Sequence, residues 1–297
     1  MPSPSPNKVE LRRARPLLGT LVEVRAAAST IEQAGRALHA AFAAIERVQT
    51  LMSYHDPCSD VGRLNRFAHL RTVSVAPWTF TVLRGAHLLH AATGGLFDIA
   101  VAPALVRGGW LPRSTTLPAG GTAADIALLA GRRVRFRRPL LLDLGGIAKG
   151  FAVDQAVAAL RRCGATGGVV NAGGDLRVFG ATPEPVHVRL PESPDKLVPL
   201  VTLRDSAVAT SAHYFAQRRI RGAARSPIFH PHHRRFAAES YSISVQAREC
   251  WLADALCKVV WLAGAAALPL LHAHGARAWV YDASVGQCSP EEGRYAA

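Results

Sequence analysis

The spacing of apolar and polar positions changes along this chain, and each change marks an element. Leu18-Gly-Thr-Leu-Val-Glu-Val-Arg25 alternates and predicts a half-buried strand, whereas apolar positions from Ile31 to Leu51 recur every three or four residues and predict an amphipathic helix. Pro77 to Ala92 predicts another helix, stopped by Gly94-Gly95. Pro112 to Ala124, rich in Pro, Gly, Ser and Thr, predicts a surface loop. Arg133 to Arg137 alternates as a strand. Leu140 to Leu144 reads as an apolar strand running into Gly145-Gly146, with a helix from Ala148 to Leu160.

Further strands are predicted at Gly167–Val170, Val186–Leu190, Leu200–Leu203, Ile243–Val245 and Ala278–Val280, and an apolar helix runs from Ala253 to Leu262. The basic, His-rich stretch from Arg218 to Glu239 predicts a loop over a site, because strand patterning resumes directly after it. Residues 1–16 are expected to be a flexible tail and 17–297 a single two-lobed domain.

Composition narrows the picture. The 297 residues carry 35 Lys and Arg against 21 Asp and Glu, a net charge of +14 that favours phosphate-bearing or acidic partners without choosing among them. No helix-turn-helix, zinc-finger or aromatic RNA-binding pattern accompanies the charge, so a nucleic-acid partner is not expected. Five cysteines without a C-x-x-C pair suggest reduced thiols. With no signal-like start and no long uninterrupted apolar run, the expectation is a cytoplasmic product without a transmembrane segment; a start codon lying further upstream would leave export open.

Three segments carry candidate chemistry. Asp143-Leu-Gly-Gly-Ile-Ala-Lys-Gly150 sets two glycines before a helix, where backbone N–H groups and the helix dipole suit an anion and Lys149 adds a cation; a tight connection is the plainer alternative. Asn171-Ala-Gly-Gly-Asp175 reads either as a backbone nest for anionic oxygen, with Asn171, Gly173 and Gly174 in contact, or as a simple hairpin. In the third segment, Asp254, Cys257 and Lys258 are expected on one helix face. There Asp254 is a candidate metal or phosphate ligand, or one half of a surface ion pair.

Taken in order, these segments resemble the FAD:protein FMN transferase family, often called ApbE-like. The resemblance rests on Leu18-Gly-Thr, Met52-Ser-Tyr-His-Asp-Pro-Cys-Ser-Asp-Val-Gly-Arg-Leu-Asn65, Gly95-Leu-Phe-Asp98, the glycine turn with Asp154, Asn171-Ala-Gly-Gly-Asp175, Thr210-Ser211 and Ala253-Asp-Ala-Leu256. It implies an α+β fold with mixed or antiparallel sheets flanked by helices, and FAD between two lobes. It also implies an FAD site lined by Leu18, His55, Leu96, Phe97, Asp98, Asp143, Lys149 and Ile228, and a magnesium ion (Mg2+) held by the Gly146 carbonyl and Asp254. The activity implied is transfer of FMN from FAD to a Ser or Thr of an acceptor flavoprotein, with AMP released; the alternative is an FAD-binding or carrier protein that has lost transfer.

The chain departs from that pattern at three places. Cys257 and Lys258 stand where the family offers oxygen ligands. Either the ion keeps fewer protein ligands, or the Lys258 ammonium replaces it. The family's His-x-Ile-Asp-Pro segment is here Pro227-Ile-Phe-His-Pro231, which leaves His230, His232, His233 or His213 as candidate bases, His230 foremost. His55 replaces an aromatic ring.

Overall fold

The computed structural model describes residues 9–112, 117–118, 120–190, 193, 195–212, 218–220, 223–237, 241–282 and 288–289. The first half of the chain runs β1 (Val9–Leu17), β2 (Thr20–Ala28), α1 (Ile31–Met52), α2 (Asp60–Phe67), β3 (Val73–Ser74), α3 (Pro77–Ala92), α4 (Ala102–Arg107), β4 (Ile126–Leu129), β5 (Arg133–Phe136) and α5 (Ala148–Arg162). The strands β6 (Gly167–Ala172), β7 (Asp175–Phe179), β8 (Glu184–Arg189), β9 (Leu197–Leu203) and β10 (Ala207–Ala212) come next. After them lie β11 (Arg218–Ile220), β12 (Ala223–Arg225), β13 (Phe229–His230), β14 (Arg235–Phe236), β15 (Tyr241–Ala247), α6 (Cys250–Ala263), α7 (Leu268–Ala273), β16 (Arg277–Asp282) and β17 (Cys288–Ser289).

An eight-stranded sheet in the order β1-β2-β6-β7-β10-β15-β16-β17 forms the frame. Among the described residues every pairing is antiparallel, so the fold is α+β and the antiparallel half of the expectation holds. One continuous core joins the sheet's Val22, Val24, Val170 and Ile243 to α1, α5 and α6 through Phe42, Ile45, Ala152 and Leu256. Cys250–Ala273 has the length and mean hydropathy, 1.6, of a membrane-crossing helix. Burial gives those apolar residues a role, since ten side chains of α6 lie inside the protein.

The structure differs from the sequence pattern at three points. Order begins earlier than Leu17: residues 9–16 belong to β1, and residues 1–8 lie outside the described residues. The strand's apolar pattern is masked by its arginines, which face outward: Arg12 pairs with Glu23 and Arg15 lies over the Phe42 ring at 4.7 Å. Leu140–Leu144 is extended but joins no sheet. Asn65 meets Leu142 instead, donating to its carbonyl at 3.0 Å and accepting from its N–H at 2.6 Å, while the Asp143 N–H donates to the Ile99 carbonyl at 2.9 Å. Part of the expected irregular loop at 218–239 forms two small hairpins, β11-β12 and β13-β14.

Candidate active site

The site grows from the crossing of α5 and α6. At Gly150 the helices approach so closely that a Cβ would lie 2.3 Å from the Cys250 carbonyl oxygen and 2.9 Å from the Asp254 Cβ. The crossing is locked by hydrogen bonds. Asp154 on α5 accepts from the N–H groups of Cys250 at 3.0 Å and Trp251 at 2.9 Å, so it caps α6, whose own Glu249 makes no side-chain cap. Arg177 from β7 pairs with the same carboxylate. Asp154 and Asn65 stand in the family motifs without an assigned role, and the structure shows both to be positioning residues.

Asp254 is fully buried just beyond the first turn of α6. Its Oδ2 accepts from the Gly150 N–H at 3.0 Å. The Lys258 ammonium pairs with its Oδ1 and donates to its backbone carbonyl at 2.9 Å. Burial alone would raise the Asp254 carboxyl, but the opposing pull of Lys258, Lys149 and the Gly150 N–H outweighs it and holds the group below the usual carboxylate range. Asp175, also buried, ion-pairs through Oδ2 with Lys149 Nζ at 3.1 Å. Burial and repulsion from Asp254 push the Asp175 carboxyl up to about 7 against the pull of Lys149 and Lys258. Both ammoniums are held above their ordinary range by these carboxylates despite burial, so the cluster contains two carboxylate side chains and two lysines that stay charged.

The glycine turn connects this cluster to the other expected residues. A Cβ on Gly146 would lie 3.7 Å from Lys258 Cε and 3.9 Å from Phe97 Cε2, so Phe97 and Lys258 flank the turn. Asp143 accepts from the Gly145 N–H at 3.1 Å; burial raises its carboxyl, and nearby His55 offsets this in part. Tyr54, beside His55 in the Met52–Asn65 motif, is pushed up by burial and by Asp143. Asp98 Oδ1 accepts from the Ala100 and Ala123 N–H groups at 2.8 and 3.0 Å, which fixes the Leu96-Phe97-Asp98 run.

A cavity of about 210 Å3, open to solvent on one side, is lined by Asp98, Thr122 and Leu140 and by Phe229, Pro231 and Arg234 of the β13-β14 hairpin. The hairpin docks there through His232 Nε2, 3.1 Å from the Gly94 carbonyl, and His230 stacks on His233 at 4.0 Å. Ile228 just precedes it and packs on the core. His213 lies outside the described residues. Leu18 sits at the β1-β2 turn with φ of 55°, its N–H held by Gln49 at 2.6 Å.

At 171–175 the hairpin alternative holds, and the readings of Asp254 and Cys257 are refined. Asn171-Ala-Gly-Gly-Asp175 is a two-residue hairpin with Gly173 and Gly174 at φ of 62° and 99°. The Gly174 N–H is spent on Asn171 Oδ1 at 3.0 Å, so the segment offers Lys149 a carboxylate rather than offering an anion a complete nest. Asp254 and Lys258 pair as their spacing predicts, but the carboxylate is buried rather than on a solvated face. Cys257 does not share their site. Its buried Sγ donates toward the carbonyls of Ala209 at 3.2 Å and Ile243 at 3.6 Å, and burial pushes the thiol up to about 12, far from a metal-binding thiolate.

The implied magnesium ion does not fit this donor set. Magnesium needs only one or two carboxylates beside waters and substrate phosphates, but it needs their oxygens free. Here Asp254 Oδ2 is taken by the Gly150 N–H, and Oδ1 and the backbone carbonyl by the Lys258 ammonium.

Comparison with known proteins gives this geometry a family. A protein of Vibrio cholerae called FAD:protein FMN transferase is 27% identical over 237 residues, which span 74% of this chain and 71% of that protein. The crystal structure of the ApbE protein from Thermotoga maritima matches with a TM-score of 0.83 at 25% identity, covering 96% of this chain and 97% of that one. The apo Pseudomonas stutzeri flavinyl transferase ApbE matches with a TM-score of 0.78 at 21% identity, covering 92% and 91%, a likeness of fold. The ApbE family model matches residues 18–280, which takes in the glycine turn, the lysine–carboxylate cluster and the hairpin at 229–236, and this chain therefore belongs to the ApbE family.

Proposed function

We propose that this protein transfers FMN from FAD to a Ser or Thr hydroxyl of an acceptor flavoprotein. The observation that carries the reading is the pairing of two buried-edge ammoniums, Lys149 and Lys258, with a glycine turn at the start of α5 in a chain of this family. The turn gives a pyrophosphate backbone access, and the ammoniums neutralise the charge that shifts during transfer. The acceptor oxygen bonds to the phosphorus on the FMN side, and the bond from that phosphorus to the bridging oxygen breaks. AMP leaves with that electron pair, and the hydroxyl proton passes to a base.

His230 is the proposed base. It lies between Phe229 and Pro231, which line the cavity beside Asp98, and a neutral imidazole can accept the hydroxyl proton. Leu18, His55, Phe97, Asp98 and Asp143 would hold the flavin nucleotide. Tyr54 beside His55, with ring centroids 6.0 Å apart, restores aromatic surface where the family's ring is missing. Magnesium dependence, which the family resemblance implies, finds no support in the donor set, so this step is assigned to the chain's own groups.

The test is incubation with FAD and an acceptor flavoprotein domain, reading in-gel flavin fluorescence and AMP. Labelled acceptor with equal AMP is the expected result. FAD bound without AMP or labelling would overturn the proposal and leave a flavin carrier, and free FMN with AMP would make the protein a hydrolase. His230→Gln is expected to lower labelling while FAD affinity stays unchanged.

A further inference from the structure

We propose that the Lys258 ammonium takes the place of a divalent cation, so that this protein binds FAD and transfers FMN without any metal. The inference rests on the transferase reading for its catalytic half and on geometry for its binding half.

The argument starts with what Asp254 already holds. A carboxylate that served a metal would present free oxygens to it, whereas here Oδ1 and the backbone carbonyl are bonded to Lys258 and Oδ2 to the Gly150 N–H. The Asp254 side chain is 0% exposed and the Lys258 side chain 24%, so of the two partners only the lysine has surface open to solvent. An ammonium has three donors. Two are committed to Asp254, which leaves one for an incoming oxygen. Lys258 Cε also lies 3.7 Å from the point where Gly146 would carry a Cβ, ordinary contact distance, so the lysine lies directly against the glycine turn that would receive the anion.

The surroundings agree. Lys149 brings a second ammonium, held by Asp175, and the four side chains together carry no net charge when both carboxylates are ionised. The neighbour that could have completed a metal site, Cys257, turns its thiol to the carbonyls of β10 and β15. A lysine fixed by a buried carboxylate neutralises phosphate as a point charge, as a divalent ion would, and its position is set by the fold.

Two measurements on the full chain test this: FAD affinity by flavin fluorescence, and acceptor labelling, each in EDTA and in magnesium. Wild-type protein is expected to bind FAD equally in both and to label the acceptor at the same rate in both. Lys258→Thr in EDTA is expected to lose about 10²–10³-fold in labelling, and to bind FAD more weakly. Magnesium-dependent FAD binding by wild-type protein, or labelling abolished by EDTA and restored by magnesium, would overturn the inference, as would full activity of Lys258→Thr in EDTA. The wild-type comparison needs no variant to fold. If no condition gives labelling, the transferase reading fails, while metal-independent FAD binding that Lys258→Thr weakens would still support the cation's placement.

Discussion

Asp154 positions the site without belonging to it, and its replacement can be worked through from the structure. In Asp154→Ala, the N–H groups of Cys250 and Trp251 lose their acceptor and the Arg177 guanidinium loses its counter-ion in a part-buried place. An orphaned buried N–H costs about 1–3 kcal/mol and an uncompensated buried charge about 3–5 kcal/mol. These costs share one carboxylate and do not add, so the expected loss is roughly 3–5 kcal/mol. Burial raises the Asp154 carboxyl, and Arg177 with the two N–H groups pulls it back only in part. The loss therefore reflects stranded partners more than a strongly favourable pair. Asp154→Asn keeps an acceptor and should cost less, about 1–3 kcal/mol. Adding Arg177→Met to it should cost no more than Asp154→Asn alone. Urea unfolding followed by tryptophan fluorescence reads the difference, since Trp251 and Trp261 lie on α6. FAD affinity should fall in the same order, because the turn that Asp154 caps leads directly into Asp254. An Asp154→Ala protein within about 1 kcal/mol of wild type would refute the claim that this carboxylate holds α6 in place.

Three other outcomes follow from the same geometry. Gly150→Ala puts a Cβ 2.3 Å from the Cys250 carbonyl oxygen, so α6 must shift; FAD affinity should drop, with a stability loss of about 1–3 kcal/mol read by denaturation. Asp175, with its carboxyl raised to about 7 from an unfolded value near 4, binds more protons folded than unfolded between those limits. Its contribution to stability is therefore present at low pH and lost as pH rises through about 7, and Asp175→Asn should flatten that part of the stability profile. Cys257→Ala should leave acceptor labelling unchanged and cost about 1–2 kcal/mol of stability, because the thiol fills the core between α6 and the sheet; lost FAD binding would return it to the site.

Periodicity determined much of this protein. The helices at 31–52 and 77–92 and the strand at 133–136 stand where apolar spacing puts them, because each buries one face against a single core. The ordered motifs also identified the family, since glycine turns and their flanking carboxylates are local features that the chain writes consecutively. Tertiary structure alone decided what spacing cannot encode. Leu140–Leu144 has the composition of a strand but finds an Asn side chain as partner, and β1, interrupted by arginines, is a strand only because it pairs with β2. The crossing at Gly150 decided which group each charged side chain of the cluster meets. Lys149 meets Asp175 from a hairpin 26 residues on, Asp154 meets the start of α6, and Asp254 gives both its oxygens away within the protein. Sequence supplied the carboxylates and lysines, but burial and distance set their partners and proton affinities, and both arise only when separate segments pack together.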